Sequence, residues 1–248
     1  KIEIDKKNFL EICNLKYKIY SPVEEFMDKE NFLSVVNKMK LKNKKFFPFP
    51  IYLSIIGKYK KFCEKHKIVK LVFNKIDVCD FYIETKYKFT QKEKRNIGKK
   101  IFKTNSKKHP GYLYFEKENG VFLSGKILNF NKKVIKHINF SKPIEIKKRI
   151  KRLKKIVGFH TRNVPHKGHE WIHYLGVKKC KNILIQPIVG HFKFGEYSEQ
   201  AVINANKYLV RRQNLLNKKQ KLSHKFFFSF INIFPKYGGP REALFHAL

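Results

Sequence analysis

Acidic side chains are scarce in this chain. Its 248 residues include 19 Asp and Glu against 56 Lys and Arg, a formal charge of +37. A surface so short of carboxylates attracts anions, from oxyanions and nucleotides to nucleic acid and acidic lipid. The abundance of Lys, Asn, Ile and Phe also fits an AT-rich coding sequence, and the two readings are compatible. Cysteine is sparse too. Cys13, Cys63, Cys79 and Cys180 lie far apart with no CxxC pair, which argues against a disulfide framework and a structural zinc site. Free thiols in a reducing compartment are expected. Long apolar runs are missing: the most apolar-rich stretch, residues 226–234, is too short to span a bilayer. The first residues, Lys1-Ile2-Glu3-Ile4-Asp5, do not read as a signal peptide. A cytoplasmic chain without a membrane partner is the expectation. The 42% hydrophobic and 15% aromatic content suffices for a core, so disorder is not the default. The length exceeds the roughly 100–200 residues of one domain, which makes two domains the prior.

The pattern changes near residues 140–154. Before it, residues 51–56, 68–73, 81–87, 111–116 and 120–128 are β-branched and aromatic runs separated by Gly, Pro, Asn and Lys, read as strands. Residues 28–39 carry Phe32, Val35, Val36 and Met39 at helical spacing. Residues 90–95 read as a solvated basic helix start. This half is expected to be a mostly β domain over residues 1–145. Residues 141–154 read as an amphipathic connecting helix. Beyond it, strands at 156–159, 182–188 and 225–233 alternate with helices at 168–178, 198–216 and 240–248. That alternation predicts a parallel sheet with right-handed crossovers over residues 146–248. Trp171 and Tyr174 are expected in the core.

One segment carries the chemistry: His160-Thr161-Arg162-Asn163-Val164-Pro165-His166-Lys167-Gly168-His169. It lies where the first strand of that sheet passes into the first helix. Ligands of open α/β sheets sit at the carboxyl ends of strands, and helix N-termini favour anions there. His166 and His169, three apart, share one helix face. Gly168 between them lets a ligand approach the backbone. Pro165 presets the path into the helix. Arg162 offers a fork for an oxyanion, while Thr161 and Asn163 add neutral donors. HxxH alone is weak and could be half of a metal site, but no third ligand lies at suitable spacing. The combination of strand, Thr-Arg-Asn, Pro, HxGH and helix is far more specific.

The chain resembles the ATP sulfurylase (sulfate adenylyltransferase) family. The segment from Gly158 to Glu170 is similar to that family's QTRN-P-x-H-x-x-H motif. Gln186-Pro187-Ile188-Val189-Gly190, followed by Lys193, Gly195 and Glu196, resembles P-L-V-G-x-x-K-x-G-D. Lys236-Tyr237-Gly238-Gly239-Pro240-Arg241-Glu242-Ala243 resembles RYAGPREA. In the first half, Glu25-Phe26-Met27 with Val36-Asn37-Lys38-Met39 resembles GFM…V-x-x-M. Phe47-Pro48-Phe49-Pro50-Ile51 resembles W-P-x-P-I, and His109-Pro110-Gly111 resembles the HPG turn.

The resemblance implies an α/β and α+β chain: an N-terminal PUA-like β-rich domain, then a Rossmann-like parallel α/β nucleotidyltransferase (HxGH) domain, incomplete at its C-terminal end. It implies joining of ATP and sulfate into adenosine 5′-phosphosulfate and pyrophosphate, a reversible step of sulfate assimilation and sulfur metabolism. Thr161, Arg162, Asn163, His166 and His169 would be catalytic. His160, Thr161, Arg162 and Asn163 would bind sulfate and ATP. Mg²⁺ would come with ATP, with no protein-bound metal. Self-association is left open, and nucleic acid is not expected as a partner. A non-catalytic paralogue and a basic PUA-like nucleic-acid binder remain the alternative readings.

Three departures stand out. His160 occupies the place of the family's usual Gln. Val164 intervenes before Pro165, where the family Pro follows Asn directly. The given sequence ends at Leu248, ahead of the family's GRDxAG loop, so part of the site is expected to be absent from it. For Arg241 and Glu242, securing the helix start is favoured over touching nucleotide. Lys193 is ambiguous between phosphate contact and plain solvation.

Overall fold

A computed structural model describes residues 1–190 and 195–248. Lys193 therefore lies outside the described residues. The chain forms two compact units, Ile138–Phe234 and a unit combining Lys1–His137 with Pro235–Leu248.

The first unit opens on β1 (Ile2–Glu3) and α1 (Lys6–Lys16), then α2 (Lys29–Lys38) and β2 (Leu53–Ile55). After α3 (Lys60–Lys65) come β3 (Ile68–Phe73), β4 (Ile76–Tyr87), α4 (Gln91–Phe102), α5 (Pro110–Glu116) and β5 (Val121–Leu128). The strands make one sheet in the order β1-β3-β4-β5-β2, antiparallel except where β1 meets β3. Its core is aromatic, with Phe32, Phe81 and Phe122 buried.

Residues 111–116, expected as a strand, are the helix α5. His109 caps it by accepting from the Tyr112 N–H, and Pro110 sits in the first turn, where its missing N–H costs nothing. Tyr112 and Phe115, three apart, then bury one face. The helix start at residues 90–95 extends to Phe102, held by a reciprocal capping box between Thr90 and Glu93.

The second unit runs α6 (Pro143–Ile150), β6 (Val157–Thr161), α7 (Lys167–Cys180), β7 (Asn182–Val189), α8 (Glu199–Lys219), β8 (Lys225–Phe228) and β9 (Ile231–Asn232). All its strand pairs are parallel. β6 and β8 flank β7, and β9 joins the far end of β7 through Ile188 and Val189. The single strand expected at 225–233 is thus two. Ser229 separates them, its N–H on the Ile185 carbonyl and its Oγ 3.0 Å from Ser141 Oγ. Val177, Ile183, Ile185, Val210 and Phe226 form the core beneath β6–β8.

The last helix, α9 (Pro240–His246), packs in the first unit rather than continuing the parallel sheet to residue 248. Three contacts draw residues 235–248 there. The buried Lys236 ammonium pairs with the buried Glu11 carboxylate. Arg241 donates twice to the Val36 carbonyl, at 3.1 Å each. Phe245 packs its ring against Tyr20, Phe47 and Phe49. Glu242 accepts from the Lys236 and Gly238 N–H groups at 2.9 and 3.0 Å, closing the turn ahead of α9. No helix among the described residues is long and apolar enough to cross a membrane.

Candidate active site

β6 ends at the buried Thr161, and the chain turns at once. Thr161 Oγ1 accepts from the Asn163 N–H at 3.1 Å, which tightens the turn and leaves the Arg162 and Asn163 side chains exposed. Val164 then packs against Val189, Val202 and Ile203 at the carboxyl end of β7. The valine in place of the family proline therefore anchors the turn through its side chain.

α7 begins immediately after. His166 is its N-cap, with Nδ1 accepting from the Gly168 N–H at 3.1 Å. The remaining free N–H groups of the first turn carry the positive end of the helix dipole. The His166 and His169 rings stack with centroids 3.9 Å apart and planes 27° from parallel. Two imidazolium ions that close repel, so one proton on the pair disfavours a second. Burial lowers the pKa of His169, and His166 adds to that, while a Val164 backbone hydrogen bond opposes it. His169 is thus biased towards its neutral form. The half-buried His160 and the buried Thr161 end β6, Arg162 and Asn163 follow in the turn, and His166 and His169 open α7.

Gly168 leaves no slack. A Cβ built there would sit 3.0 Å from His166 Cε1 and 3.2 Å from its Nδ1. Alanine suits a helix better than glycine. Gly168→Ala is therefore expected to keep or raise the unfolding temperature while displacing the His166 ring. If the pair holds the pyrophosphate that the family resemblance implies, that affinity, read by calorimetry, should fall by about tenfold, near 1.4 kcal/mol. Unchanged affinity would mean that the His166 pose is irrelevant.

Two further residues shape the site. Asn206, fully buried on α8, donates from Nδ2 to the Asn163 carbonyl at 3.2 Å and to the Val202 carbonyl at 2.9 Å. It ties the Thr-Arg-Asn turn to the helix behind it. The available signal was an amide set among the apolar residues Val202, Ile203, Leu209 and Val210; Asn217, further along α8, is a second buried amide. His173 lies one turn below His169, with rings 12° from parallel and centroids 6.4 Å apart. It is 2% exposed and packs edgewise on Phe159 at 4.4 Å. Neither of its nitrogens has a hydrogen-bond partner among the described residues.

Burial, with a smaller push from His169, holds the His173 pKa at about 4. An unfolded histidine titrates near 6.5. Between those values the unfolded chain takes up a proton that the folded chain refuses, so stability falls as pH drops from about 6.5 towards 4. The loss amounts to about 3 kcal/mol. His173→Leu should remove this component, flattening the urea midpoint between pH 7 and pH 4.5. A variant with the wild-type acid sensitivity would assign it elsewhere.

Trp171 and Tyr174 are not in the core. They are 62% and 48% exposed, stacked on each other with centroids 5.6 Å apart. The buried face of α7 is His173 and Val177, and helical spacing turns the aromatic pair outward.

Comparison with known proteins agrees with this architecture. A PUA-like domain model matches residues 1–132, and an ATP-sulfurylase model matches residues 139–248. A sulfate adenylyltransferase from Ignicoccus hospitalis is 27% identical over the whole chain and 63% of its own length. One from Pyrococcus abyssi is 28% identical, over the whole chain and 63% of its length. One from Entamoeba histolytica is 29% identical, over the whole chain and 59% of its length. The chain thus spans less than two thirds of these curated relatives. Among solved structures, a hexameric APS kinase from Thiobacillus denitrificans superposes with a TM-score of 0.61 at 15% identity, over 99% of this chain and 44% of that one. That likeness shows the fold. With both domain models matched in order across nearly its whole length, the chain belongs to the ATP sulfurylase family.

Proposed function

We propose that this chain carries the nucleotide and sulfate site of a sulfate adenylyltransferase, forming adenosine 5′-phosphosulfate and pyrophosphate from ATP and sulfate, reversibly. The observation that supports it best is the stacked His166–His169 pair on the first turn of α7, beside the Thr-Arg-Asn turn at the end of β6.

A sulfate oxygen attacks the α-phosphorus in line, and the bond from that phosphorus to the bridging oxygen of pyrophosphate breaks. No covalent enzyme intermediate forms, so positioning and charge stabilisation supply the rate. The Arg162 guanidinium holds sulfate and the equatorial oxygens of the α-phosphate as charge spreads over them. Thr161 and Asn163 orient the α-phosphate. His166 and His169, with the N-terminus of α7, take up the charge that builds on pyrophosphate. Mg²⁺ enters as part of the substrate, bound mainly through phosphate oxygens and water. The catalytic domain is read as residues 146–248, with residues 1–145 as the PUA-like domain.

His160 tunes this site. A neutral imidazole donates one hydrogen bond, as the family's amide does, and a protonated one adds charge. His160→Gln is expected to remain active with a changed sulfate KM and a flatter pH dependence of that KM. The assay is sulfate-dependent exchange of labelled pyrophosphate into ATP, on this chain and on a longer form. Identical kinetics at every pH would sink the tuning role, and absence of sulfate-dependent exchange in both forms would sink the proposed function.

A further inference from the structure

The positive charge is not spread evenly. Residues 138–234 hold 21 Lys and Arg against four carboxylates, those of Glu145, Glu170, Glu196 and Glu199. Topology then gathers eleven of these cations at one edge of the parallel sheet. Because β6, β7 and β8 are parallel, the chain enters all three at the same edge. Lys151, Arg152, Lys154 and Lys155 precede β6. Lys178, Lys179 and Lys181 lie between the last turn of α7 and β7. Lys218, Lys219, Lys221 and Lys225 lead from the end of α8 into β8.

Hydrogen bonds lock the three segments side by side. Asn182 Nδ2 donates to the Lys155 carbonyl at 3.1 Å, and the Lys225 N–H donates to the Lys181 carbonyl at 2.8 Å. Adjacent strands lie about 4.8 Å apart, so the strand starts form a row about 10 Å long. All eleven side chains are exposed. No Asp or Glu lies within residues 151–156, 178–182 or 218–225, and among the described residues none of the eleven has a carboxylate partner. The five residues of β6 put this edge roughly 16 Å from the Thr-Arg-Asn turn, at the opposite end of the strand.

Lysines in the last turn of a helix complement its dipole. That accounts for Lys178, Lys179, Lys218 and Lys219. It also covers Lys151 and Lys181, the C-caps of α6 and α7, but not Arg152, Lys154, Lys155, Lys221 or Lys225.

We propose that this edge is a docking face for a nucleic-acid phosphate backbone, separate from the nucleotide site. Ten of the eleven cations are lysine, a point charge suited to phosphate rather than to bidentate reading of bases. These segments contain no Phe, Tyr or Trp, so no base-stacking platform accompanies the charge and binding is independent of sequence. The one large apolar side chain exposed there is Leu222, which is too little to anchor the face in a bilayer. This departs from the expectation that nucleic acid is no partner, because the sequence gives the total charge but not its collection on one edge.

The test is fluorescence anisotropy with a labelled oligouridylate of about 20 nucleotides, between roughly 50 and 200 mM salt. The full chain is compared with a triple variant carrying Lys154→Glu, Lys179→Glu and Lys219→Glu. A control triple variant carries Lys61→Glu, Lys65→Glu and Lys92→Glu, which are exposed lysines of the other unit. The face variant should lose about tenfold or more in affinity, with its salt slope shallower by about 2. The control should stay within about twofold, and excess pyrophosphate should not displace the oligomer. Lys→Gln changes at the same three face positions, with circular dichroism unchanged, should lose less than the Glu set but clearly more than the control. Equal losses in face and control variants would overturn the proposal. So would displacement by pyrophosphate, and so would binding to phosphatidylserine vesicles without binding to the oligomer.

Discussion

His169→Ala is expected to slow sulfate-dependent ATP–pyrophosphate exchange by about a hundredfold to a thousandfold, the usual cost of one donor aimed at developing charge. The reason is local. His169 is half-buried, stacked 3.9 Å from His166, and biased towards the uncharged state by burial and by that neighbour. On the proposed function, a pyrophosphate arriving at the α7 N-terminus supplies the negative charge that makes protonation favourable. The benefit is therefore greatest as the leaving group gains charge, which raises kcat rather than merely lowering KM. His169→Asn keeps a neutral donor but cannot take a proton, so it should fall between wild type and alanine and should lose the pH response. Equal kcat in wild type and His169→Ala, with only KM changed, would reduce the residue to uniform binding.

Arg162→Ala should cost a similar factor, about a hundredfold to a thousandfold, with the sulfate KM rising as well. The side chain is exposed on a turn held from two sides, by Thr161 Oγ1 on the Asn163 N–H and by Asn206 Nδ2 on the Asn163 carbonyl. That gives the exposed guanidinium a backbone support fixed at Asn163. Arg162→Lys should recover only part of the loss, because an ammonium is a point charge without the two-pronged fork. Full recovery with lysine would show that charge alone matters at this position. Steady-state exchange at varied sulfate, with unfolding temperature as a control, separates these outcomes.

The strand–turn–helix path of the candidate segment was legible because each of its residues has a short-range reason to be there. Strand, turn, N-cap and first helical turn follow one another within ten residues, so sequence order is nearly spatial order. The parallel sheet was legible for the same reason, from strands alternating with helices. What escaped depends on contacts distant in sequence. α1 is buried on nearly every side from Asn8 to Leu15, so it shows no clean polar face to mark it as a helix. Residues 111–116 carry strand-favouring aromatics, yet the His109 cap and Pro110 start a helix. Trp171 and Tyr174 look like core by chemistry, but the face of α7 opposite them is already filled by His173 and Val177. Asn206 lies 43 residues from the carbonyl it holds, and only packing α8 behind the turn brings them together. The placement of residues 235–248 in the first unit rests on Lys236 meeting Glu11, 225 positions away.

The central claim is that the β6–α7 turn holds the triphosphate of ATP while Arg162 presents sulfate to it. The most direct measurement is exchange of labelled pyrophosphate into ATP, with and without sulfate, in the wild-type protein and in a variant with both His166→Ala and His169→Ala. The predicted result is exchange that requires sulfate and disappears in the double variant while the fold is retained. Sulfate-dependent exchange that survives loss of both histidines would contradict the account.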